Sequence, residues 1–562
     1  MNKLDDAVSN TVTDYQNLKF DYVRAADFGS AQIQSHPVVI IGAGPVGLSS
    51  AIDLARQGLK VVLLDDDDCL SVGSRALCFA KRTLEIFDRL GCGDRVADKG
   101  VSWNVGKVFF KDSPVYTFNL LPESGHQRPA FVNLQQYYVE GYLLECARQL
   151  PNLVIRWKNK VVGISNQESQ VVLDVETPDG IYQLTADYLI AADGARSPVR
   201  GMLGLESKGR VFQDRFLIAD VKMKAEFPTE RWFWFDPPFH PNQSVLLHRE
   251  ADDVWRIDFQ LGWDADPVEE KKPEKVIPRV RALLGEDVQF ELEWVSVYTF
   301  ACMRMENFRH GRVLFAGDAA HGVSPFGARG ANSGVQDADN LCWKLALVIK
   351  GEASDALLDS YSSEREFAAD ENILNSTRST DFITPKSAVS KLFRNAVLSL
   401  AKAHPFAQRL VNSGRLSLPS VYAHSTLNTP DIDIFSGAMC PGAPATDAPI
   451  KTGGQPGWLL HQIGGSFNLL LFCNAYGLNA NVVDALNKFK NLHLIAVVPS
   501  GGRAIEGVHT IEDSEGLLAS RFDAKAGTLY LLRPDQHVAA RWRNPDSQLV
   551  QAAIQRATAK RR

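Results

Sequence analysis

Residues 37–68 read PVVIIGAGPVGLSSAIDLARQGLKVVLLDDDD, and most of the fold follows from them. The apolar run 38–41 has the length and composition of a buried parallel strand. Gly42, Gly44 and Gly47 follow in G-x-G-x-x-G spacing, with Pro45 and Val46 between them. A helical pattern comes next, with Leu48, Ile52, Leu54 and Ala55 on its apolar side. A second apolar run, 61–64, ends at Asp65. Strand, glycine turn, helix, strand and acid, in that order, make up the βαβ fingerprint of a dinucleotide site. Gly42 permits the tight turn, Gly44 lets the backbone approach a pyrophosphate, and Gly47 lets helix and strand pack closely. The helix N-terminus offers free N–H groups and a partial positive charge to phosphates. Asp65 lies about twenty residues past the glycines, where a carboxylate accepts hydrogen bonds from a ribose hydroxyl. Asp66 is carried with it as a candidate, and the rest of the acidic run reads as a solvated turn.

A chain of 562 residues is too long for one core, so several domains are expected. The composition, 45% apolar and 22% charged, is that of a soluble globular protein. A net charge of −6 with mixed signs gives no reason to invoke nucleic acid or an anionic membrane. No apolar run reaches the length of a membrane span, and the first ten residues lack a secretory signal. The eight cysteines show no C-x-x-C and no metal-ligand spacing. No metal is expected, and the cysteines read as reduced thiols of a cytoplasmic protein.

Outward from the fingerprint, residues 1–37 read as an N-terminal arm that packs on the surface or on a neighbouring subunit. Residues 38–102 form the first part of the nucleotide domain, with a helix over 81–90. Short alternating strands begin a second domain over 103–134, and an amphipathic helix opens the next nucleotide-domain segment, 135–204. Residues 205–304 turn to aromatic-rich strands with one helix, about 273–284, which indicates an inserted antiparallel sheet. The nucleotide domain resumes over 305–384. A helical segment and linker occupy 385–449, and a tail of mixed α/β order occupies 450–562. The fold class is therefore α/β, with a Rossmann-like domain interrupted by an antiparallel-sheet domain.

Three segments carry the chemistry. The first is the fingerprint. The second is YLIAADGARSPVR, 188–200, containing Asp193 and Gly194. The third starts at RVLFAGDAAH, 312–321, with Gly317 and Asp318, and continues through Pro325, Gly327, Gly330, Ala331 and Asn332. Together they resemble the class A flavoprotein monooxygenases, the family of p-hydroxybenzoate hydroxylase and phenol hydroxylase, over about residues 38–380. The resemblance implies non-covalent FAD, with the first segment on its ADP half, the Asp-Gly motif serving FAD and the nicotinamide cofactor, and the Gly-Asp motif on the ribityl and flavin end. It also implies that Ser74 and Arg75 of GSRA lie near the pyrophosphate, Gln136 of NLQQ lies beside the flavin, and Pro325 lies between flavin ring and substrate. Arg215 is a further candidate for the cofactor phosphates, with a plain ion pair as the alternative. Ala192 and Arg329-Gly-Ala331 depart from the commoner family wording, which leaves the subfamily open.

The implied reaction is hydroxylation of an aromatic, phenolic small molecule by O2 and NADH or NADPH through a flavin C4a-hydroperoxide. Flavin-dependent epoxidation or oxidative modification of a polycyclic natural product on the same scaffold is the alternative, and a non-enzymatic FAD-fold escort protein is a remote one. Trp232, Trp234, Phe235, Trp255 and Phe259 are expected as pocket walls. His248 and Asp258 are the preferred phenol-polarising residues among His240, His248, Arg249, Asp258 and Tyr298. His321 reads as a structural histidine, Trp343 as helix packing and Lys344 as a solvated charge. The tail has a strand over 466–472, a helix over 482–490, a strand over 492–499, a hairpin over 526–542 and a last helix. It resembles the thioredoxin-like domain that ends phenol hydroxylase and the hydroxyphenylpropionate hydroxylase type. Cys473-Asn-Ala-Tyr lacks a second thiol, so the tail is expected to be structural. No macromolecular partner other than a second copy, as a homodimer, is expected.

Overall fold

The computed structural model describes residues 15–30, 32–71, 73, 76–225, 227–411, 417–474 and 492–560. Ser74, Arg75 and the helix expected over 482–490 lie outside the described residues.

The fingerprint folds as its pattern dictates: strand β1 (Gln34–Ile41), helix α1 (Pro45–Arg56) and strand β2 (Val61–Leu64). β1 and β2 pair in parallel, and Leu153–Arg156 extends the sheet beyond β2. On the other side of β1 runs Gly180–Ala191, followed by Val313–Phe315, again in parallel. The parallel strands are covered on both faces, which is why they read as unbroken apolar runs rather than alternating ones. Helices Gln136–Arg148 and Gly330–Ile349 both pack on α1. The arm also belongs to this layer. Tyr15 lies edge-on to Tyr138 and Tyr142, and Phe20 stacks on Trp157 at 4.2 Å.

The second sheet is assembled from three parts of the chain. Its order runs His321–Gly322, Glu291–Met305, Ser207–Lys222, Val254–Leu261, Ser244–Arg249, Arg231–Phe235, Val105–Phe110 and Ser113–Asn119. Neighbours are antiparallel except for the pair joining Arg231–Phe235 to Val105–Phe110. Both faces are buried. The outer face packs Trp234, Val245, Trp255, Ile257 and Phe259 against Val276 and Val280 of helix Pro273–Leu284. The inner face packs Phe216, Phe233, Phe235, Leu246 and Phe300 against Phe326 and Phe382.

Helix Leu357–Ile383 has no counterpart in the expectations drawn from the sequence. Its buried positions include Ser360, Glu364, Arg365, Asn372, Ser376 and Ser379 beside its apolar ones, so no clean apolar stripe marks it. Charge pairing stands in for the stripe. Arg365 Nε donates to Asp337 Oδ1 at 2.5 Å, and Glu364 accepts from Lys344 at 2.8 Å and from Arg533 at 2.6 Å. Lys344 is thus a buried ion-pair member, not the solvated charge expected, because Glu364 lies one helix away.

The tail forms a seven-stranded sheet in the order Gln455–Trp458, Pro449–Thr452, His509–Asp513, Leu492–Pro499, Phe467–Phe472, Leu529–Leu532, Val538–Trp542. Its three central strands are parallel and the last two form an antiparallel hairpin. The hairpin loop 533–537 is buried against the nucleotide domain. Arg82 donates to Asp535 O at 2.7 Å and to Gln536 Oε1 at 2.8 Å, and Arg533 pairs with both Asp535 and Glu364.

Candidate active site

The three motifs, separated by well over a hundred residues, meet at their glycines. Gly42 has φ +100°, and a Cβ there would lie 2.4 Å from Ala192 O and 3.2 Å from Asp193 Cα. A Cβ on Gly47 would strike Gly42 O at 1.8 Å. These two glycines press the first motif onto itself and onto the second. The third motif closes on the first at Val46. A Cβ on Gly317 or Gly334 would meet Val46 Cγ2 at 2.9 or 2.6 Å. Gly44 differs from its neighbours, since a Cβ there would meet nothing within 4 Å. The open side of the turn is where a ligand backbone can approach.

Donors converge on that side. α1 begins at Gly44 with Pro45 at its first position and no side-chain cap, so its leading N–H groups face outward. Asp65 at the end of β2 accepts from Ala43 N at 2.5 Å and Asp67 N at 2.8 Å. Burial pushes its carboxyl up to about 6 in spite of these bonds. Asp66 is exposed beside it. Asp193 Oδ2 accepts from Val199 N at 3.0 Å, while its Oδ1 is buried with no partner. Gly194 follows at φ +80° and turns the chain.

At the third motif Asp318 is exposed, with Oδ1 within 3.9 Å of the position a Cβ on Gly330 would take. Pro325 is exposed at the loop crest. Gly327 and Ala328 then take left-handed φ values of +104° and +52°, which turn the backbone into helix Gly330–Ile349. A left-handed alanine is strained by about 1–2 kcal/mol. That helix also starts without a side-chain cap. Asn332 ties the motif to the strand Cys78–Ala80, donating to Cys78 O and accepting from Ala80 N, both at 2.8 Å. His321 is buried, at 2.7 Å from Asp337 Oδ2, and has the structural role expected of it.

Gln136 is not at an open edge. Its Nε2 donates to Ser71 Oγ and Glu140 Oε1, and its Oε1 accepts from Ala76 N, so the amide ties Ser71 and Ala76 to the helix. Ser74 and Arg75 lie outside the described residues.

The inner face of the second sheet meets this assembly at Cys78. Cross-strand register sets Gly106, Arg231, His248, Arg256, Asp220 and Trp294 in one polar row across the sheet, and Leu246, Asp258 and Ile218 in the next. Cys78 Sγ lies 4.0 Å from His248 Nδ1. Arg256 donates to both Asp220 oxygens at 2.8 Å. His248 is held well below the usual histidine range by burial and by Arg231 and Arg256, so it is neutral near pH 7. Burial pushes Asp258 up to about 6, and its buried Oδ1 has no partner. Arg231 was not anticipated. It alternates with Trp232 and Trp234 in an aromatic run, and nothing in that run marks it as inward-facing.

Some expected residues do not join the site. Trp232, Trp234 and Phe259, with Trp255, face outward into the core beneath helix Pro273–Leu284. Strand alternation puts Arg231 and Phe233 on the inner face, together with Phe235, the one expected wall residue of this strand that lies there. Arg215 lies on the second sheet and donates to the carbonyl of Ala265, away from the three motifs. His240 Nε2 donates to Gln260 O at 2.7 Å, and Arg249 lies over the ring of Trp255.

The open turn at Gly44, two uncapped helix starts, the unpartnered Asp193 Oδ1 and the exposed Asp318 fit a long ligand carrying phosphates, a polyol and a flat ring. The arrangement is that of a flavin-nucleotide-binding α/β protein with a second, ligand-facing sheet. The chain belongs to the family described as FAD binding domain, whose sequence profile matches residues 35–376, and FAD is its cofactor. It is 28% identical to the 3-(3-hydroxy-phenyl)propionate/3-hydroxycinnamic acid hydroxylase of Escherichia coli K12 over 92% of this chain and 94% of that one. The protein of the same name from Mycolicibacterium smegmatis is 26% identical over 89% and 90%. Among solved structures, p-nitrophenol 4-monooxygenase PnpA from Pseudomonas putida DLL-E4 is 27% identical with a TM-score of 0.60, covering 69% of this chain and all of that one (100%). The flavin-dependent monooxygenase PieE, in complex with FAD and substrate, shares the fold at 22% identity with a TM-score of 0.79, over 94% and 99%.

Proposed function

We propose that this chain is an FAD-dependent monooxygenase that hydroxylates an aromatic, phenolic small molecule with O2 and NADH or NADPH. The observation that carries the reading is the meeting of the three motifs at Gly42, Val46 and Asp193, with the inner polar rows of the second sheet joined to them through Asn332 and Cys78. When bound and reduced by NADH or NADPH, FAD would supply the activation of O2, one atom of which enters the ring while the other leaves as water.

The protein's own residues bind, orient and move protons. The turn 42–47 and the start of α1 hold the pyrophosphate, Asp65 with Asp66 the ribose, Asp193 and Gly194 the neighbouring part of the cofactor, and Gly317, Asp318 and the loop 325–332 the ribityl and ring end. Above about pH 6 Asp258 is a carboxylate on the inner face and takes the phenolic proton, which makes the ring electron-rich. Neutral His248, one row away, accepts or donates a hydrogen bond without competing for that charge. Phe216, Phe233, Phe235, Phe300 and Phe326 form an apolar wall that keeps water from the ring.

The domain limits set out from the sequence are retained. The tail sheet, with parallel centre and antiparallel hairpin, supports a thioredoxin-like reading without redox function. All eight cysteines are free, which supports a cytoplasmic protein, and a homodimer is the form we assign. Among the described residues no helix is long and apolar enough to cross a membrane.

The test is turnover under labelled O2. The expected product gains one oxygen atom carrying the label, with NADH or NADPH consumption stimulated by the phenol. Label arriving from water, or no phenol that stimulates consumption, overturns the reading.

A further inference from the structure

Cys92 and Cys146 form a buried thiol pair that the proposed reaction does not use. Gly91, at φ +92°, ends helix Lys81–Leu90, and Cys92 stands just before the short helix Gly93–Lys99, its side chain making no capping bond. Cys146 lies in the last turn of helix Gln136–Arg148. Cys92 is 1% and Cys146 8% exposed, and the two thiols are hydrogen-bonded to each other. A Cβ on Gly91 would lie 3.7 Å from Cys146 Sγ, so the turn lays the chain next to Cys92 against that sulfur. Both cysteines are free. Two sulfurs in contact can bond with little movement of the backbone.

Their surroundings make the two sulfurs unequal. The Cys92 S–H donates to the Cys146 sulfur, and Arg56 and Arg95 place positive charge beside it, so the Cys146 thiol is lowered to about 7 against the opposing effect of burial. Cys92 is raised well above the ordinary thiol range by the same bond and by burial. Burial pushes Cys78 and Cys473, by contrast, up to about 12. Arg56, Gly91, Gly93 and Arg95 also line a cleft between the nucleotide domain and the tail, which Phe467 and Ile554 close from the tail side. Cys92 sits between those two glycines, so backbone rather than side chain separates it from the cleft, and a small neutral oxidant has a short way in.

We propose that Cys92 and Cys146 are a peroxide-reactive pair that closes to a disulfide within the nucleotide domain. The reagent is hydrogen peroxide. The Cys146 thiolate attacks one peroxide oxygen, the O–O bond breaks, and the hydroxide that leaves takes up the thiol's proton as water. Cys146 becomes a sulfenic acid, oxidised by the two electrons that reduce the peroxide. The Cys92 sulfur then attacks the Cys146 sulfur. The S–S bond forms, the S–O bond breaks, and the hydroxide leaves with the Cys92 proton as a second water. Two thiols and one peroxide give one disulfide and two waters. The bridge joins the end of helix Lys81–Leu90, which carries Arg82 and Arg89 to Asp339 and the tail loop, to helix Gln136–Arg148. No substrate or coenzyme takes part, so the site is independent of the monooxygenase reading.

The test uses the full chain with its FAD, reduced with dithiothreitol, desalted near neutral pH and treated with a few equivalents of hydrogen peroxide. Remaining thiols are alkylated in denaturant, and the unreduced chain is digested for mass spectrometry. The wild type should give peptides linked through Cys92 and Cys146, formed about tenfold or more faster than Cys78 or Cys473 is oxidised. Cys92→Ser should stop at the sulfenic acid, so that Cys146 takes up dimedone. Cys146→Ser should leave Cys92 unoxidised over the same time. No linked peptides, a link between any other two cysteines, or oxidation of Cys78 and Cys473 at the same rate overturns the proposal. So does a folded Cys92→Ser variant whose Cys146 takes up no dimedone, or a folded Cys146→Ser variant whose Cys92 is oxidised as fast as in the wild type. The wild-type digest decides by itself should either variant fail to fold.

Discussion

Asp258 and Asp318 are single carboxylates whose surroundings set what each can do. Asp258 has a folded-state pKa raised by burial to about 6, above the ordinary 3.8. The folded state therefore holds a proton that the unfolded chain has released between those values. Stability from this group is present below pH 4 and is lost as pH rises through about 6. Asp258→Asn removes the charge, so its melting temperature should exceed the wild type's above pH 6 and approach it at low pH. Its activity should move the other way. Wild-type kcat/KM should rise with pH through about 6 as the carboxylate forms, and the variant should lose that limb and about 10²-fold in rate. A pH profile that keeps its limb in Asp258→Asn excludes this role. Asp318 is exposed beside Gly330, at the open side of the third motif. Asp318→Ala should still weaken FAD binding about tenfold. Asp68→Ala should leave it unchanged, since Asp68 makes only a surface pair with Lys158 at 2.9 Å. Flavin fluorescence titration of the two variants decides this.

At the level of elements, the tail hairpin loop and helix Leu357–Ile383 act as one unit. Arg533 joins Asp535 of its own loop to Glu364, Glu364 joins Lys344 of helix Gly330–Ile349, and Arg365 on the same helix joins Asp337. Asp337 in turn accepts from Gly317 N at 2.8 Å, so the chain of bonds ends at the third motif. Removing one member leaves its buried partners short of a counter-charge, which costs up to about 3–5 kcal/mol. Arg533→Met should lower the melting temperature and loosen FAD retention together, measured by thermal denaturation followed through released flavin fluorescence. A drop in one without the other would separate the loop from the third motif.

For the whole molecule, this network changes what the tail is expected to do. Residues 533–537 lie in the core of the contact with the nucleotide domain, and Trp343 packs edge-on against Phe467 at 5.6 Å. Deleting residues 450–562 should therefore yield insoluble protein or protein that takes up no FAD, not a working catalytic core that has lost only subunit association. Cys473 is buried, and burial pushes its thiol up to about 12, so Cys473→Ser should leave turnover nearly unchanged. Expression of the truncated chain and its flavin content, beside turnover of the serine variant, test the two halves of this statement.

How much was legible follows from how local each feature is. The βαβ unit is contiguous, its glycines are required by contacts within one turn, and its strands are buried on both faces, so residues 37–68 suffice to predict it. The order of the three motifs, helix Pro273–Leu284 and the tail hairpin were legible for the same reason. The phase of the second sheet was not. Both of its faces are apolar, so the alternation in RWFWF reads equally well either way, and only docking against helix Pro273–Leu284 sends the tryptophans outward and Arg231 inward. Helix Leu357–Ile383 was hidden because ion pairs, some with residues more than a hundred positions away, do what an apolar stripe does elsewhere. The amino-acid sequence by itself determined the nucleotide fold and its class of cofactor, because those depend on short-range backbone geometry. Which side chains line the inner face of the second sheet, and which buried charges are paired, was decided only when distant strands paired, because burial of a charge depends on every element packed around it.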